Sequence, residues 1–269
     1  MNDSGNRSTL QRNLLEISEK QKLSAALADH IEHYFADIDA DNFLEANLEE
    51  LHGAAVQHHR LAQARTAGQA VISLYTPDFD RHGWHSPHTV IDIVTDDMPF
   101  LVDSVTMLIH DHGLAIHRLI HPILGIERGE DGQIHRSAQR GAPGTRSESW
   151  IHLEIDRISD VALIDALRKE ITDVLADIRA AVDDFAEMRL RITAAIDSLG
   201  NAKSNDSEEI IEFLRWAAKQ NFVFLGYAHY RASVYSGMSC ARPSASSWWR
   251  VLPSAQAAMV ACAAGAKGA

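Results

Sequence analysis

The chain has 269 residues, of which 46% are hydrophobic and 23% charged, a composition that excludes wholesale disorder and collagen-like repeats and predicts a folded core. Its 25 Lys and Arg residues against 37 Asp and Glu residues give a net charge of −12, which disfavours nucleic-acid and anionic-membrane partners. No run approaches the roughly 20 apolar residues that span a bilayer, and the N-terminus lacks the apolar stretch of a secretion signal. We therefore expect a cytoplasmic protein.

Residues 1–68 are predicted to form a helical segment. Apolar residues recur every three or four positions, which aligns them along one side of a helix; before residue 36 they are Leu10, Leu14, Ile17, Leu23, Leu27, Ile31 and Tyr34. A second helix is expected after the acidic stretch at 36–42, and Gly68 ends the segment. Two helices of this size cannot enclose a core alone, so we expect them to pack against the sequence that follows.

Residues 69–182 carry the clearest alternation of patterns. A short strand is predicted at 69–75, and the β-branched alternation of residues 88–95 predicts a second strand. An acidic Met-Pro turn follows, and residues 100–112 then show helical spacing that stops at Gly113. The first half of this segment is therefore read as strand, turn and helix.

The second half of the segment returns to extended structure. Residues 114–126 form a long extended run, 130–132 have turn chemistry, and 148–156 alternate as a strand, so we predict a hairpin. Helical spacing then continues across 158–182. The βαββα order predicts an α+β fold with an antiparallel sheet, flanked by the N-terminal helices and by a helical C-terminal extension.

Residues 183–230 are expected to form a helical linker and the first strand of a following domain. Helices are predicted at 185–199 and from Asp206 or Ser207, and residues 221–230 read as a strand. That strand has no predicted partner in the rest of the chain.

The turn between the predicted strand and helix has a recognisable sequence. Residues Asp97, Met98, Pro99, Phe100 and Leu101 resemble the turn of the ACT domain, a ferredoxin-like regulatory fold that binds amino acids, although Phe100 stands where glycine is usual. The amides at a helix start are unpaired and carry the positive end of the helix dipole, which favours a carboxylate. The resemblance implies an amino-acid effector site at these five residues.

A longer resemblance rests on three stretches of sequence. Residues 89–124, 148–157 and 221–227 are similar to the N-terminal region of the large bacterial NAD-dependent glutamate dehydrogenases, over about residues 3–230. The resemblance implies that the chain is the regulatory and assembly region of an enzyme that converts L-glutamate and NAD to 2-oxoglutarate, ammonia and NADH. The resemblance places the glutamate-binding and nucleotide-binding domains elsewhere in a longer chain.

No catalytic residue is assigned to this chain. A Gly-x-Gly-x-x-Gly turn after a strand is not present, so we expect the chain to be inactive alone and to hold no cofactor, NAD being bound in the full-length enzyme. The expected partners are an amino-acid effector and either further copies of the chain or the rest of the enzyme. The alternative is a purely structural subunit-contact module, in which Phe100 fills the ligand space.

The last 39 residues differ from the rest. Residues 231–269 contain no Asp or Glu but hold both cysteines, Cys240 and Cys262. If residues 237–241 are encoded by G-ATG-AGC-TGC-GC, a one-base shift reads Asp-Glu-Leu-Arg, so our hypothesis is a reading-frame change near Val234 that truncated a longer gene. The tail is then aberrant and disordered; a natural C-terminal extension is the alternative.

Three further groups of residues are candidate sites. Three histidine pairs have spacings that could place side chains together: His85/His88, His110/His112 and His117/His121. However, His110 and His112 point to different sides of a helix, no carboxylate lies at a suitable offset, and His117 and His121 stand about 13 Å apart along a strand, so no metal site is expected. Asp96 and Asp97 are read as helix-capping residues rather than an acid/base pair. Trp150 is expected on the outer face of its strand, at a subunit contact or beneath a loop.

Overall fold

The computed structural model describes residues 3–37, 43, 46–201, 207–221, 226, 230–231 and 242–243. The described helices are α1 (Asp3–Lys20), α2 (Ala25–Tyr34), α3 (Leu48–Leu61), α4 (Phe79–His82), α5 (Leu101–Asp111), α6 (Val161–Asp183), α7 (Phe185–Asn201) and α8 (Ser207–Trp216), the last continued by a π-helical turn, Ala217–Asn221. The described strands are β1 (Val71–Tyr75), β2 (Thr89–Asp96), β3 (Ile116–Ile120), β4 (Ile123–Arg128), β5 (Ile134–Gln139), β6 (Arg146–Ile155), β7 (Tyr230–Arg231) and β8 (Arg242–Pro243).

The chain divides into two compact units, Met1–Ala176 and Asp177–Ala269, with the boundary inside α6. The second unit contains α7 and α8, and the short strands β7 and β8 pair with each other. Most of the strand predicted at 221–230, and most of the tail at 231–269, lie outside the described residues. Among the described helices, none combines the length and the apolar character needed to cross a membrane.

The first unit is built on one antiparallel sheet. Its strands lie in the order β1, β2, β6, β4, β5, while β3 pairs with the end of β6 that β4 does not reach. Along the chain, β2 is followed by α5, then by β3 and β4 in place of one predicted strand, and then by β6 and α6. The βαββα order is therefore kept, and β1 adds an outer strand beside β2. The predicted α+β fold with an antiparallel sheet is confirmed.

The structure differs in detail from the predicted hairpin. The extended run at 114–126 is interrupted at Pro122, where β3 ends and β4 begins, and β5 forms after the predicted turn, in a segment for which no strand was predicted. The sequence of β5 is mostly polar and carries little apolar alternation, because the strand lies at the edge of the sheet. Gly125 permits this pairing, since a Cβ atom there would lie 2.5 Å from the carbonyl oxygen of Gln139.

The described residues of the N-terminal segment form three helices rather than two. Lys22 takes a left-handed conformation (φ 55°) between α1 and α2, and the Ser24 side chain then accepts a hydrogen bond from the amide of Leu27 as the cap of α2. The Asn47 side chain caps α3 by accepting from the amide of Glu49 at 3.0 Å. At these positions one helix ends or the next begins, while the apolar residues on either side keep their helical spacing.

The N-terminal helices cover one face of the sheet, as the sequence led us to expect. Trp150 of β6 is fully buried in this interface, so the surface that we expected at a subunit contact or under a loop is instead covered by helices of the same chain. The core formed there contains Leu10, Leu14, Ile31, Tyr34, Leu51, Ala55, Val94, Leu124 and Trp150. The opposite face of β2 and β6 is buried as completely, and α5 and α6 supply apolar stripes that are also buried.

Candidate functional site

The turn predicted as an effector site lies between β2 and α5. Phe100 takes a left-handed conformation there, with φ 70° and ψ −2°, which is sterically costly for a residue with a Cβ atom. Its backbone thus has the shape that glycine adopts readily, and 40% of its surface is exposed. The residue therefore keeps the glycine-type turn while its ring stays partly in solvent.

The start of α5 has no side-chain cap among the described residues. By contrast, α2, α3 and α4 are capped by Ser24, Asn47 and Asp78. Uncapped amides at a helix start retain free donors and the positive end of the helix dipole. This end of α5 can therefore accept an anionic group.

The two acidic residues before the turn contact different partners and do not cap α5. Asp96 accepts hydrogen bonds from Arg65 at 2.7 Å and from the amide of Gly68 at 3.1 Å. Asp97 accepts from Nη2 of Arg140 at 2.9 Å, and its own amide donates to the carbonyl of Ser147 at 3.1 Å. The capping role that we predicted for this pair is wrong, because both carboxylates are drawn to arginines outside the helix.

A cleft of about 240 Å³ lies beside this turn. It brings together the end of α2, the corner between β3 and β4, and the residue after β5; its lining residues are Tyr34, Asp37, His121, Pro122, Ile123 and Arg140. Arg140 joins the cleft to the turn through its hydrogen bond with Asp97. The cleft is assembled from separate parts of the chain, and none of its lining residues was predicted as a site from the sequence.

A cluster of three buried ionisable residues lies under the N-terminal helices, formed by His58 of α3, Asp92 of β2 and His152 of β6. All three side chains have no exposed surface. Nδ1 of His152 donates to Oδ1 of Asp92 at 2.6 Å, and the Tyr75 hydroxyl donates to Oδ2 at 2.8 Å. The antiparallel register pairs residues 92 and 152 directly, so the sheet itself sets this contact.

The two histidines of the cluster are in different charge states. His58 donates from Nε2 to the carbonyl of Ile93 and accepts at Nδ1 from Tyr34, at 3.2 and 2.9 Å, which is the bonding pattern of a neutral imidazole. Burial lowers its pKa to about 4. Burial would also lower the pKa of His152, but the carboxylates of Asp92 and Glu154 outweigh it and raise that pKa to about 9. His152 is therefore an imidazolium at neutral pH.

Glu154 of β6 lies beside the cluster and also contacts β3. Its carboxylate accepts from Ser86 at 2.8 Å and pairs with Arg118 of β3. Burial would raise the pKa of Glu154, but the imidazolium of His152, whose Nε2 lies 3.8 Å from Oε1, the hydrogen bond from Ser86 and the charge of Arg118 lower it to about 2. The charges balance, since two carboxylates face the two cations His152 and Arg118.

The cluster also has the composition of a metal site, since the ligand atoms of His58, Asp92 and His152 lie within 4.8 Å of one another. However, the nitrogen and oxygen atoms that face each other are already hydrogen-bonded. Replacing one proton on His152 by a divalent cation would leave an uncompensated positive charge in the interior, which is costly. The arrangement fits a proton better than a metal ion.

Sequence reasoning missed these residues, although a signal was present. Asp92 and His152 are single polar residues in the middle of predicted strands, where a buried polar group needs a partner. The histidine pairs that we did consider lie elsewhere: His117 stacks on His88 at 4.0 Å and contacts Asp156 at 2.7 Å, and His112 contacts Glu170 at 2.7 Å.

From the pKa values of His58 and His152, we expect the free energy of unfolding to be largest near pH 6.5. His58 binds a proton at about pH 4 when folded and near 6.5 when unfolded, so stability falls as the pH decreases from 6.5 towards 4, by roughly 3 kcal/mol. His152 keeps its proton up to about pH 9 when folded, so a similar contribution is lost as the pH rises from 6.5 through 9.

Urea unfolding followed by tryptophan fluorescence at pH 4.5, 6.5 and 9 measures this profile. The variant His152→Gln should flatten the alkaline side and leave the acid side steep. A wild-type free energy of unfolding that stays constant from pH 6.5 to 9 would show that His152 is not held as a cation.

Comparisons with known proteins bear on the same region. Residues 30–171 match the family described as glutamate dehydrogenase, ACT1 domain. NAD-specific glutamate dehydrogenases are similar to this chain in Pseudomonas aeruginosa (31% identity, 78% of this chain), Halomonas elongata (34%, 79%) and Mycobacterium tuberculosis (28%, 67%). The chain spans 14% of the length of the first two and 11% of the third.

The matched range starts at the sixth residue of α2 and ends within α6, so it includes the turn, the cleft and the buried cluster. The similarity to the glutamate dehydrogenases confirms the resemblance found in the sequence. Because the match covers more than half of the 269 residues, the chain belongs to the family of the glutamate dehydrogenase ACT1 domain.

Proposed function

We propose that this chain is the regulatory and assembly region of an NAD-dependent glutamate dehydrogenase and that its ACT unit senses an amino acid at Asp97, Met98, Pro99, Phe100 and Leu101. Glutamate oxidation and NAD binding then belong to other parts of the enzyme, and the chain alone has no activity. The family match and the similarity to NAD-specific glutamate dehydrogenases support this context.

The conformation of Phe100 is the observation that carries the sensor proposal. A bulky residue held at φ 70° costs roughly 1–2 kcal/mol, and such strain persists only where the surrounding structure imposes it. Here it turns the chain so that the uncapped amides of α5 follow directly after the acidic turn. A carboxylate at these amides would gain hydrogen bonds and the favourable helix dipole.

A structural role is the second candidate, and it has its own supporting observation. Leu119 of β3 exposes 39% of its surface, and in the described part of the chain β3 pairs only with β6. An unpaired strand edge with apolar side chains favours pairing with another chain. In this alternative the ACT unit joins subunits and binds no ligand.

Calorimetric titration of the 269-residue chain with L-alanine, L-leucine, L-glutamate and L-lysine tests the sensor. We expect saturable binding of at least one amino acid. The variant Phe100→Gly should bind at least as tightly, because glycine adopts the turn conformation without strain, and the exposed control Phe79→Ala should match the wild type.

The two candidates give opposite results in this experiment. If the folded wild-type protein and the Phe100→Gly variant both bind none of the four amino acids, the proposal that the chain is an amino-acid sensor is wrong. The structural role then requires that sedimentation velocity detects a dimer or larger assembly, and that Leu119→Lys returns it to the monomer.

A further inference from the structure

Helix α8 in the second unit carries apolar side chains on two adjoining sides. One side is buried, and α7 packs against α8; the buried residues are Ile211, Leu214 and, in the π-helical turn, Ala217. The other side stays in solvent, where Ile210, Phe213 and Trp216 expose 43%, 52% and 50% of their surface. The apolar arc of α8 is therefore wider than the side that this unit buries.

The exposed side of α8 is one continuous surface, which we call the α8 stripe (Ile210, Phe213 and Trp216). Side chains three positions apart are neighbours on a helix, and the rings of Phe213 and Trp216 stack with their centroids 6.0 Å apart. Single exposed apolar residues are ordinary, whereas adjoining ones mark a contact with another protein surface. Aromatic residues are enriched in the centres of such contacts.

The α8 stripe is symmetric about its middle residue. Ile210 lies one turn before Phe213, and Trp216 lies one turn after it. A two-fold contact uses the same surface on both copies. If two α8 helices meet in antiparallel orientation about an axis at Phe213, this ring meets its own copy, and Ile210 of each copy meets Trp216 of the other.

The charged residues beside the stripe fit the same orientation. Glu208 and Glu212 are exposed in the first part of α8, while Arg215 and Lys219 are exposed at its end and in the π-helical turn. At about 3.6 residues per turn, all four lie on the flank of the stripe that the buried Leu214 does not occupy. With Phe213 at the axis, Arg215 of one copy lies beside Glu212 of the other, and Lys219 beside Glu208. A parallel pair would bring the acidic starts together, which is unfavourable.

We propose that the α8 stripe binds the α8 stripe of a second copy of this chain, in antiparallel orientation about a two-fold axis at Phe213. The apolar side chains form the centre of the contact, and the Glu–Arg and Glu–Lys pairs form its rim on both sides of the axis. The inference rests on the assembly part of the proposed function and gives it a surface other than the edge of β3. One short helix from each copy buries a small area, so we expect a dissociation constant in the micromolar range.

Sedimentation velocity of the 269-residue chain over a series of concentrations tests the contact. We expect a monomer–dimer equilibrium that Phe213→Lys weakens at least tenfold, because two ammonium groups would meet at the axis without a counter-ion. The matched control is Leu190→Lys on α7. Leu190 is 65% exposed and lies on the side of α7 away from the buried Met188 and Ile192, so its dimer should stay within twofold of the wild type.

Charge exchange tests the antiparallel orientation. Glu212→Arg and Arg215→Glu each place like charges beside each other in the proposed dimer, so each variant alone should dimerise at least tenfold more weakly than the wild type. An equimolar mixture of the two variants should form a heterodimer, because both of these pairs then join opposite charges. The double variant carrying both substitutions should regain the homodimer for the same reason. Circular dichroism checks that the helix content is unchanged, as expected at exposed positions.

The other outcomes contradict the proposal. A wild-type chain that remains monomeric overturns the contact, and single charge variants that the mixture does not rescue overturn the antiparallel orientation. A dimer that tolerates Phe213→Lys and is lost in Leu119→Lys also overturns the α8 contact, but it leaves an assembly role to the edge of β3. Amino-acid binding is measured separately by calorimetry, so failure of the α8 contact is distinguished from failure of the sensor proposal.

Discussion

Replacing Asp92 by Asn is expected to lower the free energy of unfolding by about 3–5 kcal/mol. The substitution keeps the shape of the side chain but removes the negative charge that faces His152 at 2.6 Å. A cation is then left in the interior without its closest counter-ion, and breaking a buried pair in this way is strongly destabilising. Urea unfolding at pH 7 measures the loss.

The control for this variant is Asp165→Asn on α6. Asp165 also pairs with a cation, Arg168 at 2.9 Å, but 65% of its side chain is exposed, so the loss should be below about 1 kcal/mol. The double variant Asp92→Asn with His152→Gln should be less destabilised than the sum of the single variants, because no unpaired charge remains. Equal losses for Asp92→Asn and Asp165→Asn would contradict a charged buried cluster.

The second large effect is expected for Trp150→Ala, with a loss of about 3–5 kcal/mol in the free energy of unfolding. The indole ring is fully buried between the sheet and the N-terminal helices. Its centroid lies 4.7 Å from the ring of His30 and 5.0 Å from that of His58. Removing the ring leaves a cavity where His30 of α2 and His58 of α3 pack on β6.

Circular dichroism during urea unfolding follows this variant without relying on tryptophan fluorescence. Phe79→Ala serves as the control, because 70% of the Phe79 surface is exposed and its loss should stay within about 0.5 kcal/mol. A loss below 1 kcal/mol for Trp150→Ala would show that the N-terminal helices do not hold this face of the sheet.

Predictions from local patterns were successful where neighbouring residues decide the structure. The alternation at 88–95 identified β2, and the spacing at 100–112 together with Gly113 identified α5 and its end. Gly113 has φ 70°, which is the left-handed conformation expected after a helix. The strand β5 was not predicted, because its mostly polar sequence at the end of the sheet carries little apolar alternation.

The candidate sites show the limit of local reasoning more clearly. The turn at Asp97–Leu101 is a continuous stretch, so its residues can be found along the chain. His58 and His152 lie 94 positions apart, and nothing near either one in the sequence indicates the other. Their contact depends on α3 packing over one particular face of the sheet.

The amino-acid sequence by itself determined the family, the α+β class and the acidic turn before α5, because each is encoded in periodicity or in a short run of residues. Only the tertiary structure decided that Trp150 is covered by helices, that Asp92 shares a buried cluster with His58 and His152, and that Arg140 contacts Asp97. The physical reason is that strand register and helix packing bring distant residues together, and these depend on the free energy of the whole fold.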